Sequence, residues 1–460
     1  MPLLIRNGKV VTSTDVFKSD IYCEDETITR IGPRLEAPPS ATVIDAAEKL
    51  VFPGFIDPHV HIYLPFMGTY AKGTYLTESK AALAGGTTTL IEMICPSRSD
   101  EPLAAFELWK SNAAGKSACD FTFHMGATRF DALAESQLKE IVSAGLSSFK
   151  IFLAYKGAFG VDDAELFAIL KLAKSLGVIV TAHCENADAV AAKQRELLAE
   201  GKTGPEWHEP SRPESVETLG VQHLTAFAAI HGTSCYIVHT SCEPAVRAAL
   251  EARARGTKVW IETLIQYLIL DKSYAELPDF EGSKFVMSPP LRDRSNHRFL
   301  WNNLANGSIS TIATDHAPFD FKGQKEMGRG NFTLIPNGIP SLEDRMCMLY
   351  HAGVKTGRLS LNRFVDCGST EAAKLFGLYP RKGTIEVGSD ADLVVFDPQH
   401  KRTISARSHL MAVDYNPFEG MTIEGRVETV SVRGKVMVRD AAFVGDNKHG
   451  RFLKREPNHF

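Results

Sequence analysis

Apolar and polar positions alternate in short runs over the first fifty residues ("LLIRNGKVV", "DIYCEDETITRIG", "TVIDAAEKLVF") and again after residue 381 ("GTIEVGSDADLVVFD", "VETVSVRGKVMV"). Asn-Gly and charged turn residues separate these runs, and a period of two with such punctuation predicts β-strands. The middle of the chain has a different texture. Stretches such as "DDAELFAILKLAKSLG" and "EPAVRAALEARARG" repeat their apolar residues at intervals of three and four, the period of a half-buried helix. They alternate with apolar strand candidates at 55–61, 87–93, 121–125, 149–154, 178–183, 235–239, 258–263 and 309–315. Eight strands in a βα series predict an α/β fold, a (β/α)8 TIM-like barrel, although periodicity alone also fits an open doubly wound sheet. Two β-rich ends around such a middle predict that the termini meet in a smaller β-sandwich domain built from 1–52 and 381–445, with the barrel over 53–380. Residues 446–460 then form a C-terminal tail, either an oligomer contact or a mobile end.

Composition narrows the partner. Of 460 residues, 44% are apolar and 23% charged, and 51 Lys+Arg against 55 Asp+Glu leave a net charge of −4. No basic stripe with interleaved aromatics suggests nucleic acid, and no apolar run approaches the ~18 residues of a membrane span. A small molecule is the expected partner. Eight cysteines occur with no Cys-x-x-Cys pair, and the N-terminus carries no secretion-like apolar core with a cleavage site. Free thiols in a reducing cytoplasm are expected.

The polar residues on the strand candidates point to chemistry. His59 and His61 stand two apart in "GFIDPHVHIYL", so both imidazoles face one side of a strand. His183, His239 and Asp315 each close an apolar strand candidate, and in a barrel such ends converge on one mouth. Four histidines and an aspartate collected there predict a metal site. Imidazole and carboxylate without thiolate suit zinc, with manganese, cobalt or iron also accommodated. His124 and His316 also lie near strand ends and are read as structural or supporting groups. Cys184 follows His183, so alternation turns it to the opposite face.

"SSFKIFLAY" places one cation, Lys150, inside an otherwise apolar strand. If Phe149 and Ile151 face the helices, Lys150 faces the mouth. Burial and nearby cations would push it toward the neutral amine, which can add carbon dioxide to form an anionic carbamate able to bridge two metals. The alternative is a snorkelling ammonium at the rim. Tyr155, five residues on, falls near the same mouth.

The ordered set "GFIDPHVHIYLPF", "SSFKIFLAYKG", "VIVTAHCENAD", "YIVHTSC", "MSPPLR", "IATDHAPF" and "IPNGIP", together with "GSDADLVVFDP", resembles the dihydropyrimidinase/D-hydantoinase family of cyclic amidohydrolases over essentially the whole chain. "GFIDPHVH" by itself marks only the wider amidohydrolase superfamily. The resemblance implies two zinc ions per subunit and CO2 for N6-carboxylation of Lys150. His59, His61 and Asp315 would hold one metal and His183 and His239 the other, with carboxylated Lys150 and a hydroxide bridging. It assigns Tyr155 to the substrate carbonyl as an oxyanion donor, and Ser288 and Asn337 to ring amide atoms. It also implies a homotetramer.

The expected reaction is attack of the bridging hydroxide on the endocyclic amide, with Asp315 as general base and then acid, opening the ring to an N-carbamoyl amino acid. Dihydroorotases carry an arginine two residues after the His-x-His pair, where this chain has Tyr63. The following segment offers Leu64, Phe66, Met67 and Tyr70 to an apolar ring substituent. Hydantoins with a 5-substituent and 5,6-dihydropyrimidines are therefore expected ahead of dihydroorotate, with allantoin as the runner-up. A non-catalytic scaffold homologue, which would lack part of the metal set, is a remote alternative because every ligand position here is filled.

Overall fold

Eight parallel strands hydrogen-bond in chain order: Phe55–Val60, Thr87–Ile94, Asp120–Gly126, Ser148–Phe152, Ile179–His183, Cys235–Ile237, Val259–Leu264 and Thr311–Ala313. The structure, a computed structural model, describes residues 2–457. The eighth strand returns beside the first. Val60 bridges to His316 in parallel register, and the His61 N–H donates to the His316 carbonyl at 2.8 Å. Arg345 spans the same seam from within, its Nη1 donating to the Ile56 and Ile312 carbonyls, each at 2.9 Å. All eight expected strands are present, and the barrel reading holds over the open sheet.

Local sequence explains the elements. In helix Asp163–Leu176 the Asp162 side chain accepts from the Glu165 N–H while Glu165 reaches back to the Asp162 N–H, a reciprocal cap, and Gly177 at φ 67° ends the helix. Its buried Leu166, Ile169, Leu170 and Ala173 recur at three and four and pack on the barrel wall. On the fourth strand Phe149 and Ile151 join that same apolar layer, which turns Lys150 inward.

Three strands, the fourth, sixth and eighth, end two residues earlier than the apolar pattern suggests. The sixth stops at Ile237 and the eighth at Ala313, so His239 and Asp315 lie just beyond them, at φ 39° and φ 49°. Tyr155, at φ 59°, lies in the loop after the fourth strand, which ends at Phe152. Left-handed backbone at residues other than glycine costs roughly 1–3 kcal/mol each, and it swings these side chains out of the strand register.

The chain ends meet in one mixed nine-stranded sheet, joined where Leu50–Pro53 pairs antiparallel with Leu393–Thr403. Leu3, Ile5, Ile21, Ile28, Val51, Leu393 and Val395 form a separate apolar cluster within it. The expected strand at "GTIEV" is absent. Residues 383–387 instead bend and turn just after Lys382, whose Nζ donates to Asp120 at 2.6 Å and to Asp392 at 2.8 Å in a buried ion cluster at the base of the barrel.

The C-terminal segment docks on its own barrel. The Leu453 N–H donates to the Phe121 carbonyl at 2.8 Å, and the buried Arg455 guanidinium donates to Thr122, Ser147 and Ser148 at 3.0–3.1 Å. Residues 458–460 of the expected tail lie outside the described residues. Among the described residues, no helix is long and apolar enough to cross a membrane.

Arg345 is therefore the bolt of the barrel seam. Arg345→Leu should lower the unfolding free energy by roughly 3–5 kcal/mol, because two buried carbonyls and the Asp57 carboxylate 3.7 Å from Nε lose their cation. Urea unfolding measures this, and a loss below about 1 kcal/mol would contradict the assignment.

Candidate metal centre

A cavity opens at the C-terminal ends of the barrel strands, and its lining collects His59, His61, Lys150, His183, His239 and Asp315. His59, His61 and Asp315 bring ligand atoms within 4.8 Å of one another. Asp315 Oδ1 lies 3.1 Å from Nε2 of both His59 and His61. The His183 and His239 rings stand 4.5 Å apart, and His239 lies 5.3 Å from the His59 ring, so four imidazoles from three strand ends form one cluster.

Surrounding carboxylates set which nitrogen of each ring faces inward. Glu262 accepts from His59 Nδ1 at 2.8 Å, from the His239 N–H at 2.8 Å and from the Tyr236 hydroxyl at 2.8 Å. Every one of these partners is a donor, so His59 carries its proton on Nδ1 and presents Nε2 to the cavity. Glu185 accepts from His183 Nε2 at 2.7 Å and from Arg212, which leaves His183 Nδ1 for the cavity. The carboxylate–imidazole pair is the arrangement that orients histidine toward a metal. Burial pushes the Glu185 carboxyl up, but Arg212 and then His183 outweigh it and hold it at about 2.

Of the buried nitrogens facing this cavity, His239 Nδ1 and Lys150 Nζ have no hydrogen-bond partner among the described residues, and His59 Nε2 has only its ion-pair contact with Asp315. Unpartnered buried polar atoms are rare because each costs about 1–3 kcal/mol, and nitrogens left so beside a histidine–aspartate cluster fit a divalent cation site. The electrostatics agree. Burial pushes His61 down to about 4, and it pushes His183 and His239 down too, so these rings are neutral and can offer a lone pair. At His59 burial acts the same way, but Asp315 and Glu262 outweigh it and raise the ring to about 9. Carboxylates that favour a proton there favour a cation equally.

Lys150 is fully buried, with its Nζ 4.8 Å from the centre of the Phe152 ring. Burial lowers its pKa, and Asp315 offsets this only in part. The snorkelling alternative is excluded by that burial.

The mouth is aromatic. Phe66 stands edge-on to Tyr155 at 5.3 Å and stacks with Phe159 at 5.9 Å, and Leu64, Phe152 and Ala317 complete the wall. Met67 and Tyr70, expected beside Leu64 and Phe66, instead line an adjoining groove, with Tyr70 stacked on Tyr63. Tyr155 lies within hydrogen-bond reach of the Ser288 and Asn337 side chains, and burial raises its pKa, so it keeps its proton and is a donor. His208, held down to about 3 by burial, fixes Ser288 through Nε2 at 3.2 Å from Oγ and 2.9 Å from the Met287 carbonyl. Gly338, at φ 143°, has no room for a side chain, since a Cβ would meet the Ala317 carbonyl oxygen at 2.7 Å.

His124 and His316 stand outside the cavity. His124 bonds Ser148 at 2.6 Å and the Pro58 carbonyl at 3.0 Å, and His316 bonds Glu78 at 2.8 Å. Cys184 faces the outer apolar layer. Sequence reasoning missed Cys95, Phe152, Phe159 and Ala317 of the cavity, and both orienting carboxylates. Glu262 had a visible signal, an acid inside the apolar run "VWIETL", of the same kind that exposed Lys150.

Residues 50–437 match the Amidohydrolase family. The D-hydantoinase of Geobacillus stearothermophilus is 47% identical over 457 residues, covering 99% of this chain and 97% of the relative. The dihydropyrimidinase of Rattus norvegicus is 39% identical, covering 99% of this chain and 89% of its own. Among solved structures, a D-hydantoinase (dihydropyrimidinase) from Thermus sp. superposes over 100% of both chains with a TM-score of 0.98 at 60% identity. With likeness running the length of the chain and a histidine–aspartate cluster able to hold a metal at its barrel mouth, this protein belongs to the amidohydrolase family, in its D-hydantoinase/dihydropyrimidinase branch.

Proposed function

We propose that this chain hydrolyses the endocyclic amide bond of 5-substituted hydantoins and 5,6-dihydropyrimidines, yielding N-carbamoyl amino acids. The observation that carries the reading is the meeting, in one cavity, of the histidine–aspartate cluster, a buried unpartnered lysine and an aromatic mouth. His59, His61 and Asp315 would hold one zinc ion, and His183 and His239 a second. Lys150, as its carbamate, would offer an oxygen to each. Its neutral amine adds CO2 with formation of an N–C bond and loss of one proton. When bound, the two cations supply Lewis acidity that makes water nucleophilic near neutral pH and draws charge from a carbonyl oxygen.

Asp315 takes the proton of the attacking water and returns it to the departing ring nitrogen, so base and acid are one group in two steps. Tyr155 donates its hydroxyl to the carbonyl oxygen as negative charge develops there. Ser288 and Asn337 hold the ring amide atoms, largely through their backbone. Leu64 and Phe66 face the ring substituent, and their apolar surface favours an alkyl or aryl group over a ureido or carboxylate one.

Purified protein assayed against dihydrouracil, a 5-aryl hydantoin, allantoin and dihydroorotate should open the first two preferentially. Activity confined to allantoin or dihydroorotate would overturn the substrate reading. Tyr155→Phe should lower kcat by about 10²–10³, the worth of one oxyanion donor, and a loss under threefold would remove Tyr155 from that role. Glu262→Gln should weaken divalent-metal retention by about 10–100-fold in chelator competition, because the proton on His59 Nδ1 is no longer fixed by a carboxylate. Unchanged retention would show that Glu262 does not orient the ligand.

A further inference from the structure

Lys325 is a second fully buried lysine, in the turn Lys325–Gly328, and it does not line the metal cavity. Its Nζ donates to the Val286 carbonyl at 2.8 Å, the Pro336 carbonyl at 2.6 Å and the Gly338 carbonyl at 2.7 Å. No carboxylate pairs with it among the described residues. A buried cation without a counter-ion is expensive, and burial alone pushes this amine well below the usual lysine range. Three carbonyl oxygens at hydrogen-bond distance nevertheless need three N–H groups. Only the ammonium has them, so the carbonyl cage stabilises the charged form.

The carbonyls come from two separate segments. Val286 lies two residues before Ser288, and Pro336 and Gly338 flank Asn337. One further bond ties the same segments together, from the Gly338 N–H to the Val286 carbonyl at 3.0 Å. Ser288 and Asn337 both reach the Tyr155 hydroxyl, so the spacing of the two segments is also the spacing of the contacts around the substrate ring. There is an electronic consequence too. The Pro336 carbonyl and the Asn337 N–H belong to one peptide group, and an ammonium on the carbonyl oxygen draws charge from the nitrogen and strengthens that N–H as a donor.

We infer that Lys325 is the positioning residue of the substrate cradle, clamping the Ser288 and Asn337 segments at the separation a cyclic amide requires and polarising the Asn337 N–H. The inference rests on the cyclic-amide reading above. It touches neither the metals nor the reacting atoms, so its effect should fall on substrate binding.

The test uses the full-length, metal-loaded enzyme with a 5-aryl hydantoin. Wild-type protein comes first; if it opens no cyclic amide, the functional reading fails whatever Lys325 does. Lys325→Met keeps most of the side-chain bulk and removes all three donors. It should raise KM at least about tenfold with kcat within about threefold of wild type and metal content unchanged. Lys325→Gln keeps two donors and should give an intermediate KM. A KM within twofold of wild type in a metal-replete variant would overturn the inference. So would a fall in kcat at constant KM, which is the signature of a smaller folded fraction and hence of a purely structural lysine. Failure of both variants to fold would likewise assign Lys325 to the fold instead of the cradle.

Discussion

The amine of Lys150 is the constraint around which the site is arranged. It lies at the centre of a barrel, buried and without a hydrogen-bond partner among the described residues, in a cavity shared with four imidazoles and a carboxylate. Burying an ammonium costs several kcal/mol even after relaxation, which is a large share of the ~5–15 kcal/mol by which a folded domain is stable. The neutral amine avoids that penalty, and the proposed carbamate would convert the position into an anion suited to cations on either side. The rest of the site follows from charge balance. Three histidines kept neutral by burial, His59 drawn toward its charged form by Asp315 and Glu262, a carboxylate pinned low by His59 and His61, and outer carboxylates that fix the rings make a cage suited to cations.

Backbone geometry completes that cage at a cost met elsewhere in the fold. Tyr155, His239 and Asp315 all adopt left-handed conformations just past the ends of their strands, together storing roughly 3–9 kcal/mol of strain. The barrel seam, bolted by Arg345, and the C-terminal segment plugged by Arg455 supply rigidity at positions far from the chemistry. Arg455 and His124 both bond Ser148, two residues before Lys150, and His124 bonds the carbonyl just before His59. The chain end is thereby wired to the wall that carries two of the proposed ligands.

Much of this was legible in the residue pattern, for physical reasons. A parallel strand buried on both faces reads as an apolar run, so a polar residue within it stands out, and His59, His61, Lys150, His183, His239 and Asp315 are such residues. Their meeting in one cavity follows from barrel closure. Less was legible where no period operates. Cys95, Phe159 and Ala317 enter the cavity from loops, and Lys325 acts through carbonyls, which every residue possesses. "GTIEV" alternates like a strand but lies beside Lys382, whose ion pairs hold it in a turn. Met67 and Tyr70 share the composition of Leu64 and Phe66, yet the loop turns at Met67, with φ 51°, and directs them to a neighbouring groove.

The central claim is that Lys150 holds the metal pair as a carboxylated ligand. Metal content and hydantoin turnover of Lys150→Ala, with and without a short carboxylic acid such as propionate, test it most directly. The variant should lose at least one of the two cations and nearly all turnover, and added propionate should restore part of both by filling the carbamate position. A variant that keeps both cations and full activity with no carboxylic acid present would contradict it.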